Sequence, residues 1–285
     1  MNAQSLISAL ELVERLPDRH TKVLDATYKM PGATPTAAES YASGHIPGAL
    51  LFDINAIADL ASPLPHMLPD EVGFGAAMGE LGIGNDDFVV VYDPPGLMSA
   101  GRVWWTFRVF GHRNVAVLNG GFMRWVGEGR QVETGRVVPA RRRHFNASLI
   151  PGMVRTKADV LANMARRRET VIDARSAGRF DGSEPESWPE RRRGHIPGSL
   201  NLPFDRLSDP ASGLLRSGEE IKALFVDSGL DLSAPVIASC GSGVTACALA
   251  FALHLLGKDD VAVYDGSWAE WGLPGDTPVA LGGAS

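Results

Sequence analysis

The chain has 285 residues, of which 45% are hydrophobic and 21% are charged, and its formal net charge is −6. This length fits two domains of ordinary size, and the composition is that of a globular protein. Because the chain is acidic overall, we expect neither nucleic acid nor an anionic membrane surface as a partner.

The first residues and the cysteines narrow the class further. Residues 1–20 carry acidic side chains and no continuous apolar run, so we expect neither a signal peptide nor a membrane anchor there. The two cysteines, Cys240 and Cys247, belong to no CxxC motif or Cys/His cluster, so we expect neither a disulfide nor a zinc site. These features favour a reducing, cytoplasmic location.

Helices and strands alternate along both halves of the chain. In the first half we predict a helix at 6–16, a strand at 22–25, a helix at 71–81, a strand at 88–92, a helix at 102–110 and a strand at 115–118. In the second half we predict a helix at 157–166, a strand at 170–173, a helix at 218–228, a strand at 236–239, a helix at 246–256 and a strand at 261–264. Short apolar strands between helices predict an α/β fold with a mostly parallel sheet covered by helices on both faces.

The segment 131–153 separates the two halves. It contains prolines, the run Arg141-Arg142-Arg143 and little periodicity, which predicts a linker. We therefore expect one domain at 1–130 and a second at 154–285, with the arginine run on a solvated surface.

An internal repeat is the strongest sign of organisation. Residues 110–125 match residues 256–271, and the motif GHIPG at 44–48 recurs at 194–198 in the same order. This predicts two copies of one fold. Tryptophans on apolar helix faces are expected to pack in the core: Trp104, Trp105, Trp125, Trp268 and Trp271.

One loop carries the predicted chemistry. The strand 236–239 runs into Cys240, a short glycine-containing turn follows, and an apolar helix begins near Ala246. Backbone N–H groups and the helix dipole at such a junction favour negative charge, so Cys240 at its mouth is predicted to be a nucleophilic thiolate. The alternative is a buried structural thiol, which is how we interpret Cys247 in the following helix.

The first copy lacks this chemistry. Asp93 stands where the second copy has Cys240, and Pro94 and Pro95 remove two backbone N–H groups from the loop. The first copy is therefore predicted to be inactive and to form one wall of the second copy's site. The alternative is two independent domains.

These motifs resemble those of the tandem-domain sulfurtransferases of the rhodanese superfamily, over nearly the whole chain. The similarity lies in both GHIPG motifs, in Arg102-Val103-Trp104-Trp105, in 264–268 (YDGSW) and in 240–245 (CGSGVT). It implies two tandem rhodanese-like domains and no metal or organic cofactor. Superfamily members that use thiosulfate usually carry two basic residues after the cysteine. Gly241 and Ser242 stand there instead, which favours 3-mercaptopyruvate as the small-molecule substrate.

The resemblance implies a double displacement. Cys240 attacks the sulfur of 3-mercaptopyruvate, pyruvate leaves as its enolate, and a persulfide remains on the cysteine. A thiol acceptor such as thioredoxin, or cyanide, then removes the sulfur. The loop groups expected to bind the substrate and the persulfide are Gly241, Ser242, Gly243, Val244 and Thr245.

The resemblance also assigns side chains around the loop. Arg179 matches one of two substrate-binding arginines, but Trp188 stands at the position of the second, and Arg191, Arg192 or Arg193 could reach in instead.

A proton relay has been proposed in related enzymes. Ser242 and His66 match its serine and histidine, whereas Asn55 replaces its acid. The alternative is that His66 only hydrogen-bonds at the domain interface. His45 and His195, which recur in both copies, are interpreted as structural.

Three other functions are considered for a protein with this cysteine loop. A tyrosine-phosphatase-like enzyme needs an arginine six residues after the cysteine, where this chain has Ala246. A thiosulfate sulfurtransferase is the main enzymatic alternative, and a persulfide carrier is the non-enzymatic one.

Overall fold

The computed structural model describes residues 5–139 and 141–283. Each half of the chain forms a five-stranded, all-parallel sheet. The strands of the first sheet are β1 (Leu6–Ile7), β2 (Thr21–Asp25), β3 (Leu50–Leu51), β4 (Phe88–Tyr92) and β5 (Val115–Leu118). Those of the second sheet are β6 (Val154–Arg155), β7 (Thr170–Asp173), β8 (Leu200–Asn201), β9 (Val236–Ser239) and β10 (Val261–Tyr264).

The two sheets have the same topology. Their strand orders are β1-β5-β4-β2-β3 and β6-β10-β9-β7-β8, which coincide when five is added to each number of the first. The predicted α/β fold and the repeat are therefore confirmed.

Helices connect the strands in both halves. The first half contains α1 (Ala9–Arg15), α2 (Ala37–Ser43), α3 (Glu71–Glu80), α4 (Ala100–Val109) and α5 (Gly121–Gly127). The second half contains α6 (Lys157–Arg166), α7 (Ala177–Asp181), α8 (Gly218–Asp227), α9 (Ala246–Leu255) and α10 (Ser267–Trp271). The predicted helix at 6–16 was wrong at its start, because Leu6 and Ile7 pair with β5 and Ser8 caps α1.

The two copies pack closely through α4 and α9. A Cβ atom on Gly101 would lie only 3.1 Å from the backbone nitrogen of Ala248, so glycine permits this approach. The rings of Trp104 and Phe251 meet edge to face across the same contact, with centroids 4.9 Å apart. One hydrophobic cluster contains residues of both halves, so the first copy does form a wall against the second.

The linker packs against the first copy. Phe145 is buried and its ring stands edge-on to that of Phe74. Arg142 is exposed, as expected for the arginine run. Arg143 departs from that expectation, because its guanidinium pairs with Asp86 and with the buried Asp87. The side chain of Arg143 is therefore tied to the segment just before β4, the central strand of the first sheet.

The structure confirms the predicted burial of the tryptophans on the helix faces. All five of the tryptophans predicted to pack inside are buried.

Among residues 5–139 and 141–283, no helix combines the length and the apolar character needed to cross a bilayer.

A buried ion pair joins the copies. Arg102 on α4 donates from Nη1 to Asp265 Oδ1 at 2.5 Å, and both side chains are less than 5% exposed. The other carboxylate oxygen of Asp265 accepts from the backbone N–H of Leu68 in the first copy at 2.8 Å. Two groups of the first copy thus hold one carboxylate of the second.

Removal of Arg102 is predicted to destabilise the protein strongly. Arg102→Met would leave the buried Asp265 carboxylate without its cation, and the expected loss of unfolding free energy is about 3–5 kcal/mol. The matched control is Arg124→Met, which breaks an exposed pair with Glu128 and should cost about 1 kcal/mol or less. Urea unfolding measures both variants, and equal losses would contradict the role given to the buried pair.

Candidate active site

Cys240 lies at the floor of the loop between β9 and α9. The residue is 1% exposed, so the expectation of a thiol at the loop's mouth was wrong. Its backbone N–H donates to Ser267 Oγ at 3.1 Å, and its carbonyl accepts from the Trp268 N–H at 2.9 Å. The start of α10 therefore fixes the cysteine backbone from below, because both partners belong to that helix.

The loop presents unpaired N–H groups. Within the described chain, none of the backbone N–H groups from Gly241 to Ala246 donates to a protein acceptor. Gly243 adopts a left-handed φ of 76°, and a Cβ atom there would lie 2.5 Å from the Asp265 carbonyl oxygen. Only glycine fits this turn, and the turn leads directly into the N-terminus of α9. The loop is thus suited to hold an anion.

In the first copy, the equivalent loop binds the carboxylate of its own residue Asp93. Asp93 is fully buried, and its carboxylate accepts from the N–H groups of Gly96 at 2.5 Å, Ser99 at 2.5 Å and Ala100 at 2.9 Å. Burial raises the pKa of Asp93, and these N–H donors oppose that effect. The carbonyl of Asp93 accepts from the N–H of Phe122 at 2.9 Å, as that of Cys240 accepts from Trp268. Asp93 therefore fills the anion position that the second copy leaves open.

Arg102 of the first copy supports the Cys240 loop through hydrogen bonds. Its Nη1 donates to the Gly243 carbonyl at 3.2 Å, and its Nη2 donates to the His66 carbonyl at 2.5 Å. The Cys247 thiol also donates to the Gly243 carbonyl, at 3.1 Å. Cys247 is buried and burial raises the pKa of its thiol, which agrees with its interpretation as a structural thiol.

Arg179 lies across the loop on α7. Its Nη2 would be 3.0 Å from a Cβ atom on Gly241, and its side chain is 21% exposed. Nε and Nη2 donate to Glu186 Oε2 at 3.1 and 2.6 Å. Arg179 is therefore aimed over Gly241 by a buried carboxylate and retains a partly exposed face for a ligand.

Arg175 was missed by the sequence analysis. It is buried, it pairs with Asp173 at 2.7 Å and with Glu186 at 2.6 Å, and its guanidinium lies 4.4 Å from the Trp268 ring centroid. Burial opposes its charged form, but Asp173, Glu186 and a thiolate at Cys240 raise its pKa. The sequence feature that could have identified Arg175 is Asp173-Ala174-Arg175, in which an acidic and a basic residue stand two positions apart at the end of a strand.

The expected relay of Ser242, His66 and Asn55 is not assembled. Asn55 is exposed, and within the described residues no hydrogen bond joins its side chain or that of Ser242 to His66. His66 is 5% exposed, and its Nε2 lies 3.1 Å from Tyr28 Oη. Burial, with the nearby Arg102 charge, lowers the pKa of His66 to about 4, so the ring is neutral near pH 7.

Among the described residues, Arg191, Arg192 and Arg193 form no hydrogen bond with the loop at 241–246. Arg191 donates to the Ala269 carbonyl at 2.8 Å, and Arg192 donates to the Trp271 carbonyl at 2.9 Å. Arg193 is exposed. Trp188 is partly exposed and meets the His66 ring edge-on, with centroids 5.8 Å apart. An aromatic ring thus stands in this part of the site instead of a second cation.

The two repeated histidines have matching structural contacts. His45 Nδ1 lies 3.0 Å from the Tyr41 carbonyl oxygen, and His195 Nδ1 lies 2.9 Å from that of Phe180. Each imidazole also stacks on the ring of the same residue. This equivalence in the copy with Cys240 and the copy with Asp93 supports a structural role for both.

Comparison with known proteins agrees with this fold and loop. A rhodanese-like domain matches the chain twice, over residues 8–128 and 156–273, and the chain belongs to the rhodanese family. The protein is accordingly a sulfurtransferase with two rhodanese-like domains, as its sequence predicted.

Relatives of both expected kinds are similar to the chain. The 3-mercaptopyruvate sulfurtransferase of Rattus norvegicus is 43% identical over 274 residues, which cover 94% of this chain and 92% of the relative. The thiosulfate sulfurtransferase of Mus musculus is 48% identical over 271 residues, covering 92% and 89%. The crystal structure of SseA from Escherichia coli, a 3-mercaptopyruvate sulfotransferase, superposes with a TM-score of 0.84 at 40% identity, covering 94% of this chain and 100% of that one.

Loss of the Arg179 guanidinium is predicted to weaken binding of a carboxylate substrate. Arg179→Gln should raise the KM for 3-mercaptopyruvate by about 10- to 100-fold, because a charge-assisted hydrogen bond contributes about 1.5–3 kcal/mol. Steady-state kinetics measure this, with Arg193→Gln as the matched control on an exposed arginine. An unchanged KM in the Arg179 variant would show that another group binds the carboxylate.

Proposed function

We propose that the protein transfers sulfur from 3-mercaptopyruvate to a thiol acceptor through a persulfide on Cys240, releasing pyruvate. The observation that carries the proposal is the group of unpaired backbone N–H groups that follows Cys240 in its loop. In the first copy, the N–H groups of the equivalent loop are bonded to the Asp93 carboxylate. The relatives named as 3-mercaptopyruvate sulfurtransferases support the choice of donor.

The first half-reaction forms an S–S bond and breaks a C–S bond. The Cys240 thiolate attacks the sulfur of the donor, and the electron pair of the C–S bond passes to the pyruvate enolate. Negative charge is present on the cysteine sulfur before the attack, and the outer sulfur of the persulfide keeps the hydrogen of the donor's S–H group. Fixed N–H donors at the α9 N-terminus stabilise the thiolate, and the sulfur lone pairs of the persulfide, without having to reorient.

The donor's carboxylate is assigned to Arg179. Its guanidinium lies over Gly241, next to the cysteine, and offers planar donors that suit a carboxylate. Because Glu186 already balances part of this charge, the site has less attraction for a dianion such as thiosulfate than a loop with two free cations would have. Gly241 and Ser242 add no charge of their own.

Thiosulfate remains the second candidate donor. Thiosulfate sulfurtransferases are 47–48% identical to the chain, somewhat more than the 43% of the mammalian 3-mercaptopyruvate enzymes. Identity over the whole chain reflects the common fold, whereas the choice of donor depends on the few groups that touch it. The uncharged loop is therefore the observation that supports 3-mercaptopyruvate as the donor.

The acceptor is assigned by chemistry alone. A persulfide is released by attack of a thiolate on its outer sulfur, so a small thiol or a reduced thiol protein such as thioredoxin is suited to the second half-reaction. The two thiols of the chain, both free in the structure, suit a reducing cytoplasm.

A comparison of the two donors tests the assignment. We predict that kcat/KM with 3-mercaptopyruvate exceeds that with thiosulfate, and that mass spectrometry finds one added sulfur on Cys240 after mixing with 3-mercaptopyruvate alone. Cys240→Ser should lose both signals, because a hydroxyl does not form the persulfide. A higher kcat/KM with thiosulfate would reverse the donor assignment, and absence of the added sulfur would favour a carrier that is loaded by a partner.

A further inference from the structure

We propose that Tyr28 is the proton-transfer residue of this site: its hydroxyl gives a proton to the departing pyruvate enolate and takes one back from the acceptor thiol. This inference rests on the proposed function, because only the 3-mercaptopyruvate reaction produces an enolate. Tyr28 stands three residues after the end of β2, at the carboxyl edge of the first sheet. Parallel sheets place their ligands at this edge.

Tyr28 is connected to the Cys240 loop through His66: Tyr28 Oη lies 3.1 Å from His66 Nε2, and the Arg102 guanidinium donates both to the His66 carbonyl and to the Gly243 carbonyl of the loop. Burial raises the pKa of Tyr28 to about 12, and a thiolate at Cys240 adds to the increase. The side chain is partly exposed, so it is not sealed off from a bound substrate. A phenol of this kind keeps its proton at neutral pH and releases it only to a strong base. The carbanionic carbon of an enolate is such a base.

The contacts of His66 fix which atom carries its proton. Its Nδ1 is buried and has no hydrogen-bond partner among the described residues, whereas Nε2 lies 3.1 Å from Tyr28 Oη. An unpaired buried N–H group costs more than an unpaired lone pair. The neutral imidazole therefore carries its proton on Nε2 and donates it to the tyrosine oxygen. This bond also stabilises a tyrosinate.

The remaining contact of Tyr28 leaves its own proton available. The hydroxyl points to the thioether sulfur of Met30 at 3.1 Å, which is a weak acceptor. A substrate carbon that becomes basic competes easily with such a partner. His66 takes no proton in this scheme, and the acid that is missing at Asn55 is not needed.

The protons balance over one turnover. In the first half-reaction the O–H bond of Tyr28 breaks, a C–H bond forms on the enolate carbon, and pyruvate leaves while Nε2–H of His66 holds the tyrosinate. In the second half-reaction the S–H bond of the acceptor thiol breaks, its proton returns to Tyr28, and the resulting thiolate attacks the outer sulfur of the persulfide. Cys240 then leaves as a thiolate. Tyr28 thus acts as acid and then as base.

The thiosulfate reaction provides an internal control. Sulfite leaves thiosulfate as a stable anion, and cyanide attacks the persulfide as an anion, so neither step needs a proton from Tyr28. Tyr28→Phe removes only the hydroxyl. We expect kcat with 3-mercaptopyruvate and a thiol acceptor to fall by about 100-fold or more, and turnover of thiosulfate with cyanide to stay at the wild-type level. The control is Tyr41→Phe, which removes a buried hydroxyl bonded to the Ala49 carbonyl at 2.7 Å and should alter neither reaction.

A second variant separates proton transfer from packing. His66→Gln should lower the 3-mercaptopyruvate rate less than Tyr28→Phe does, and the double variant should be no slower than Tyr28→Phe, because the two side chains act as one unit. Full 3-mercaptopyruvate turnover in Tyr28→Phe, or an equal loss with both donors, would overturn the role of Tyr28. A wild-type protein that uses thiosulfate but not 3-mercaptopyruvate would instead overturn the proposed function, and the role of Tyr28 with it.

Discussion

The attraction between backbone N–H groups and an anion is the interaction on which this site depends. In both copies the loop after the fourth strand, β4 or β9, turns so that its backbone N–H groups converge at the N-terminus of the next helix. The first copy satisfies them with the Asp93 carboxylate, whereas the second leaves those from Gly241 to Ala246 without a protein acceptor. An unpaired set of donors next to a thiol is suited to stabilise the thiolate and the persulfide of the proposed reaction.

The first copy supplies side chains that contact the Cys240 loop of the second. Arg102 of the first copy holds the Gly243 carbonyl and the Asp265 carboxylate of the second, so the loop's shape depends on a charge from the other domain. Tyr28 and His66 also come from the first copy and contact each other, and Arg102 links the His66 carbonyl to the Gly243 carbonyl of the loop.

The sequence predicted the elements whose signals are local. Long helices, apolar strands, the repeat and the Cys240 loop could all be found from periodicity and self-similarity. The two-residue strands β1, β3, β6 and β8 are too short to show a pattern. The helix α2 was missed although Thr36 and Glu39 form a readable capping box. The pairing of Tyr28 with His66, and the depth of Cys240, depend on tertiary packing between segments far apart in the chain.

A graft of the inactive loop onto the active one tests the central claim most directly. Gly241→Pro/Ser242→Pro reproduces Pro94-Pro95 of the first copy and removes two N–H groups. The carbonyl at 241 can still accept from the N–H of Ala269 in α10, as the Pro94 carbonyl accepts from the N–H of Met123 in α5. With Cys240 intact and the unfolding midpoint unchanged, the rate of persulfide formation from 3-mercaptopyruvate should fall by about 100-fold or more. A folded double variant that forms the persulfide at the wild-type rate would contradict the account.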